Sequence, residues 1–316
     1  MTARHHHYLS QCYLKGFTKG NAKKSKLTVI DLKERKTFET IPRNVGGIRD
    51  FNRIDIEGVD PNLLESDLSS FESDAATALK TLRKTLYFSD EVRELILNLV
   101  ALLAIRSPER REHMRQFHEQ IAERVMGLIL HSKDRWESQM AKLKEDDPTY
   151  NRSVTYEQAK EFFESKQYTM QVAREHHIHM EMNLIDAILP YLVDRNWRLL
   201  VAGENTGPFI TTDRPVSLTW KDPENIPPFY RSSPGYGLMG TQVYFPVSQE
   251  LALVGEFDGS EGVHGASEEL VAVMNSTMLF NMNKQVYSPK LDFKFYGKDN
   301  QILSGKRLLK EITGNS

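Results

Sequence analysis

The residues best suited to chemistry sit at the start of the chain: His5-His6-His7-Tyr8, then Gln11, Tyr13-Leu14 and Phe17. Imidazole ligates metals and titrates near neutral pH. The aromatics and leucine can anchor a terminus that would otherwise fray. His6 and His7 are therefore candidate catalytic residues and metal ligands. Asp213 is their expected partner, since it follows the strand-like run Phe209-Ile210-Thr211-Thr212 and precedes Arg214-Pro215. A carboxylate just past a strand end suits a metal ligand or a general base. The plainer reading is a turn aspartate, which Asp-X-Pro favours.

Three further sets carry reactive side chains. Glu65 and Glu72 lie seven apart on one helix face, and with a histidine they could hold Mg²⁺, Mn²⁺ or Zn²⁺. The competing reading is a solvated face. Arg106 ends the most apolar stretch of the chain, with Arg110 and Arg111 close behind. A guanidinium there needs an anionic partner, either a helix carboxylate such as Glu65 or Glu72 or a substrate phosphate. Glu175, His176, His177 and His179 have helical chelating spacings but not the His-Glu-x-x-His order of a zinc peptidase. Tyr8, Gln11 and Thr212 are the candidate substrate contacts.

These residues need a scaffold, and composition bounds it. The chain has 316 residues, 40% hydrophobic and 27% charged, with a formal net charge of −2. A soluble globular protein is expected, and the near-neutral charge selects no nucleic acid globally. Residues 1–50 differ: eleven Lys and Arg against four acids leave +7, which suits an anionic ligand such as nucleic acid and equally suits a solvated loop. Cys12 is the single cysteine, so disulfides and thiolate metal sites are excluded. A reducing cytoplasm is the expected location. No apolar run reaches membrane-spanning length, so no membrane is implied, and nothing reads on oligomeric state. Walker, dinucleotide-binding, Gly-x-Ser-x-Gly and kinase motifs are missing.

Patterning predicts a hairpin over 27–41, then a helix from Asp60-Pro61 to about Lys84. A core helix over 90–107 and a helix over 109–130 follow. Residues 133–153 read as a mobile connection. Thr155-Tyr156-Glu157-Gln158 opens a further helix as a capping box, and a long helix covers 169–192. Beyond Asn196 the chain turns strand-like, with strands at 197–202 and 208–212, a loop over 221–240 and a hairpin over 241–257. A helix capped by Ser267 and final strands at 286–288 and 291–296 complete the pattern. The fold class is α+β: a mixed or antiparallel sheet built from N- and C-terminal strands, with a large helical block (60–195) inserted. Residues 1–300 are expected as one domain (strands 1–50, helices 60–195, strands 196–296), with 301–316 a charged tail. That topology would bring His6 and His7 towards Asp213.

The opening His6-His7-Tyr8, Gln11, Tyr13-Leu14, Phe17 resembles that of the family called domain of unknown function 4238. Asp50-Phe51, Arg106-x-Pro108, Phe209 to Val216 and Phe245-Pro246-Val247-Ser248 fit its pattern too. Two positions depart: Ser10 stands where the family has Pro, and Arg214 where it has Asn. The resemblance implies that His6, His7, Tyr8, Gln11 and Asp213 form one site, and it supplies no activity.

Two functions stay open. One is a metal-dependent phosphodiester hydrolase, in particular a nuclease, with Arg106 or the basic first fifty residues on the nucleic-acid backbone. The other is a non-catalytic sensor or interaction protein, in which the histidine segment is a docked structural plug and a ligand or protein partner binds elsewhere.

Overall fold

The computed structural model describes residues 4–20, 22, 24–150 and 154–313. Lys23, residues 151–153 of the expected connection and residues 314–316 of the expected tail lie outside the described residues. The chain divides into two compact units, Met1–Ser107 with Glu181–Ser316, and Pro108–Met180.

The first unit opens with β1 (His5–His7), α1 (Gln11–Leu14), β2 (Leu27–Asp31), β3 (Lys36–Thr40) and β4 (Gly47–Arg49). Two long helices follow, α2 (Leu63–Thr85) and α3 (Asp90–Ile105). The second unit holds α4 (Pro108–Ile129), α5 (Lys133–Asp146), α6 (Tyr156–Ser165) and the start of α7 (Arg174–Val193). The chain then returns to the first unit with β5 (Asn196–Ala202), β6 (Thr211–Thr212), β7 (Ser217–Trp220), α8 (Pro228–Arg231), β8 (Thr241–Pro246) and β9 (Leu251–Glu256). It ends with β10 (Gly262–Ala266), α9 (Glu268–Asn281), β11 (Gln285–Ser288), β12 (Lys294–Tyr296), β13 (Ile302–Ser304) and α10 (Leu308–Thr313).

The fold is α+β, and one sheet does draw on both ends of the chain. It has the order β3-β2-β11-β6, all antiparallel, with Tyr287 paired to Val29 on one side and Thr211 on the other. A second sheet, β10-β5-β9-β8-β7, comes wholly from beyond Asn196 and is antiparallel except for the parallel pair β10–β5. In it Trp197 lies opposite Gly255. A Cβ on Gly255 would come within 2.8 Å of the Trp197 ring, so the glycine is the seat for the indole. Two-stranded ribbons β1–β4 and β12–β13 complete the sheets.

Helix α3 is buried at Ile96, Leu97 and from Leu99 through Ile105, as an element apolar on nearly all sides must be. It shares one core with Leu68-spaced positions of α2 (Ala75, Leu79, Leu82), with Tyr8, Leu9, Tyr13, Leu14 and Phe17, and with β-strand residues such as Leu199, Phe245 and Leu253. A second core joins α9 to Phe209, Ile210, Tyr244, Val286 and Phe293.

Several expectations are corrected. Residues 133–146 are helical, since Ser132 accepts from the Arg135 N–H and caps α5; their charge is the exposed surface of a helix. The helix expected from Thr169 begins at Arg174. The strand expected over 208–212 shrinks to Thr211–Thr212, and β7 and β10 went unread. Residues 302–313 of the expected tail form β13 and α10, with β13 paired to β12.

Candidate functional site

The histidine segment is an edge of structure. Strand β1 pairs with β4, His6 opposite Ile48 and His7 opposite Gly47, and the Tyr8 and Leu9 N–H groups both donate to the Gly46 carbonyl. Gly46 has a φ of +66° and, with Gly47, lets the loop close over Leu9 and His5. Tyr8 packs against Phe51. His6 and His7 are buried.

Their ring nitrogens have defined partners. The Asn52 N–H donates to His6 Nδ1 at 2.9 Å, so that nitrogen carries no proton. The Asn52 amide donates in turn to Glu65 Oε2 at 2.6 Å. Glu65 Oε2 also lies 3.9 Å from His6 Nδ1, but both atoms are acceptors here, each with its own donor on Asn52, so the approach is not an ion pair. His7 Nε2 lies 3.1 Å from the Arg43 carbonyl, which can only accept, so the proton is on Nε2. Nδ1 then faces the Gln11 amide at 3.4 Å. Burial lowers the His7 pKa below the ordinary imidazole value; the Arg43 bond and Glu65 oppose this, while His5 and Arg106 add to it.

Arg106 and Glu72 complete the cluster. The buried Arg106 guanidinium donates Nη2–H to the His7 carbonyl. The Ser10 hydroxyl donates to Glu72 Oε1 at 2.8 Å instead of capping α1. Burial raises the Glu72 pKa, and Glu65 adds to that; the Ser10 bond and Arg106 pull the other way. Ser10 is one of the two departures from the family's opening, and it spends its side chain tying that opening to α2. Burial, followed by Glu72, pushes the Cys12 thiol up to about 12, so Cys12 is inert as a nucleophile at neutral pH.

Asp213 is held differently. Its Oδ1 accepts from the Asn283 N–H at 2.9 Å, and its Oδ2 from the Lys284 and Gln285 N–H groups at 2.8 and 3.2 Å. It fixes the turn that leads from α9 into β11. Its link to the histidine segment runs through Tyr287, whose hydroxyl donates to Gln285 Oε1 and interacts with Tyr8, Asp213 and Asp31. Thr212 spends its hydroxyl on a local turn with Arg214. The structure thus gathers His6, His7, Gln11, Glu65, Glu72 and Arg106 into one polar cluster, with Tyr8 leading to Asp213 by way of Tyr287. Arg110 and Arg111 lie on α4 in the second unit. There His118 Nδ1 stands 3.4 Å from His177 Nδ1, and His176 rests edge-on to His118.

Several of the candidate ligand atoms are already engaged by the chain itself. His6 Nδ1 and both Asp213 oxygens are taken up by backbone N–H groups, and the His7 Nε2 by a carbonyl. Among the described residues no group of three or more His, Cys, Asp or Glu side chains could hold a metal ion.

Sequence reasoning passed over Asn52 and Arg195. The buried Arg195 guanidinium donates to the carbonyls of Thr241, Gly255 and Tyr236, and burial lowers its pKa to about 10. No local signal marks it, because its partners lie 41 to 60 residues away. It joins the second sheet to the loop that follows α8.

No described helix is long and apolar enough to cross a membrane. No curated protein and no solved structure matches the chain significantly. A family model described as "Protein of unknown function (DUF4238)" matches residues 5–291, nearly the whole chain, and the protein belongs to that family.

Proposed function

We propose that this protein is a non-catalytic ligand-binding protein whose histidine segment serves as a structural plug. The observation that carries the reading is the engagement of the donor atoms. His6 Nδ1, His7 Nε2 and both oxygens of Asp213 are each satisfied by the chain's own backbone. Groups poised for metal or substrate would keep a lone pair or proton aimed into a cavity. The reading makes His6, His7, Gln11, Ser10 and Arg106 parts of a latch that closes the N-terminal segment onto α2 and α3.

The second reading is the metal-dependent phosphodiester hydrolase, with nucleic acid as substrate and Mg²⁺, Mn²⁺ or Zn²⁺ as cofactor. Glu72 favours it: a half-buried carboxyl with a raised pKa, beside a serine hydroxyl and an arginine, is what general acid–base chemistry uses.

One experiment separates the two. Protein purified without an affinity tag is assayed for bound metal, then incubated with single- and double-stranded DNA and RNA under each divalent ion. Wild type, His7→Ala and Asp213→Ala are compared, with circular dichroism and melting alongside. The binding reading expects no cleavage by any of the three, and lower melting temperatures for both variants. EDTA-sensitive cleavage by wild type that is lost in a still-folded variant establishes the hydrolase instead.

A further inference from the structure

The chain has a basic cleft that the polar cluster does not use. It has a volume of about 570 Å³ and lies between the turn after α1, the end of α2 and the turn joining β8 to β9. Lys80, Arg83 and Lys84 stand at i, i+3 and i+4 on the last turns of α2, so they share one face, and Lys15 comes from the opposing wall. The one acid in the lining is Glu250.

Cations at a helix C-terminus are ordinarily explained by the dipole. Four further observations ask for more here. Lys15 belongs to another element, so the convergence is tertiary. None of the four cations makes a hydrogen bond or ion pair with a described residue, although the described surface elsewhere is laced with pairs such as Lys19–Glu39 and Lys221–Asp258. The Arg83 guanidinium is more than half buried, and desolvation pulls its pKa down against the help of Cys12 and Glu250; an arginine kept in that state gains from an anion. Finally, Ser248 lines the cleft, and its Oγ accepts from the Glu250 and Leu251 N–H groups.

Two walls of the cleft meet in a close backbone approach. The Gly16 carbonyl accepts from the Gln249 N–H, and a Cβ at Gly16 would stand 2.8 Å from the Val247 carbonyl oxygen. The lining holds no aromatic and no large apolar side chain, so nothing would stack on a base. The excess of cation is three charges, which suits two or more phosphates. Glu250 can accept only from a donor such as a hydroxyl.

From these observations we infer that the cleft binds a small phosphorylated polyol carrying two or more phosphate groups, held by Lys15, Lys80, Arg83 and Lys84 with a hydroxyl on Glu250. The inference gives a ligand class to the binding reading proposed above and rests on that reading for its role.

The test is calorimetric titration of the full chain with a hexose bisphosphate, with inorganic tripolyphosphate and with a twelve-nucleotide single-stranded DNA, at low and physiological salt. Lys15→Gln/Lys84→Gln removes two exposed lysines and should leave melting unchanged; Arg83→Gln is the second variant. The expected result is saturable binding of the hexose bisphosphate and tripolyphosphate, weakened at least tenfold in the double variant and in folded Arg83→Gln. Glu250→Gln should weaken the sugar and spare tripolyphosphate. Absence of saturable binding at low salt, or unchanged affinity in the double variant, overturns the inference. DNA binding tighter than the hexose bisphosphate overturns the polyol in favour of a nucleic-acid backbone. Hydrolysis of a bound phosphate ester would sink the non-catalytic reading while leaving the cleft in place.

Discussion

His7 shows how one buried ring ties the candidate site to stability. The ring is neutral, with its proton directed at the Arg43 carbonyl. Burial lowers its pKa in the folded chain, while the unfolded chain titrates near the free value of about 6.5. As pH falls through that value, the unfolded state takes up a proton that the folded state refuses. The contribution of His7 is thus fully present above the unfolded pKa and is lost as pH falls towards the folded one. Glu72 has the opposite sign: its raised pKa means that the folded chain holds a proton the unfolded chain releases, so stability declines as pH rises through its range. Urea melts of wild type and His7→Asn between pH 5 and pH 7.5 should show a steeper fall on the acid side for wild type. Parallel curves for the two proteins would mean that His7 is not the neutral, buried group described here.

At the scale of elements, what the sequence could disclose depended on how local the determinant was. The Thr155 capping box, the Ser267 cap and the apolar circumference of α3 are all set within a few residues, and each element formed where its signal lay. The histidine segment was also legible as docked, because anchoring aromatics adjoin it, but not as a strand. The partners of its rings were not, because Asn52 and Arg43 are chosen by strand pairing across about forty residues. Asp213 reads the same from sequence whether it serves a metal or a turn; the three N–H groups that decide the matter come from 70 to 72 residues downstream. Residues 133–146 misled through their charge, which marks a loop less reliably than a missing cap does. Asn275 is the element-scale counterpart of Arg195. It is fully buried in α9, its Oδ1 accepts from the Ile210 N–H, and its amide donates to the Pro208 and Lys294 carbonyls. One side chain thereby fixes α9 both to the segment leading into β6 and to β12. Asn275→Ala removes the side-chain partner of the buried Ile210 N–H and of two part-buried carbonyls and should cost on the order of 3 kcal/mol in denaturant unfolding. Thr277→Ala, exposed on the same helix, should cost little; a similar small loss for both would show that α9 is held by its apolar face alone.

At the scale of the molecule, the two units are built to different densities. The first holds both hydrophobic cores, with the C-terminal half of α3 and the paired strands β8 and β9 almost wholly buried. In the second, none of α4, α5 and α6 has a fully buried residue. Helix α4 leaves Phe117, Ile121, Val125 and Leu128 between 42% and 60% exposed, a stripe at helical spacing that would face a core elsewhere. These helices depend on end caps and surface pairs such as Arg115 with Glu112 and Glu119, at 2.7 and 2.5 Å. Exposed pairs of this kind contribute only a few tenths of a kcal/mol each and weaken in salt. Apolar burial, the dominant stabilising term, is therefore concentrated in the first unit. Local opening should follow that division. Native-state hydrogen exchange should find the slowest amides at Leu97–Leu103 and in β8 and β9. Amides of α4, α5 and α6 should have protection factors at least about tenfold lower, a gap of roughly 1.4 kcal/mol. Raising sodium sulfate to about 1 M should widen the gap, because screening weakens the pairs while exclusion of the kosmotropic salt strengthens apolar burial. Uniform protection across both units, insensitive to salt, would show that the 108–180 unit opens only with the whole chain and that its exposed apolar stripe does not set its stability.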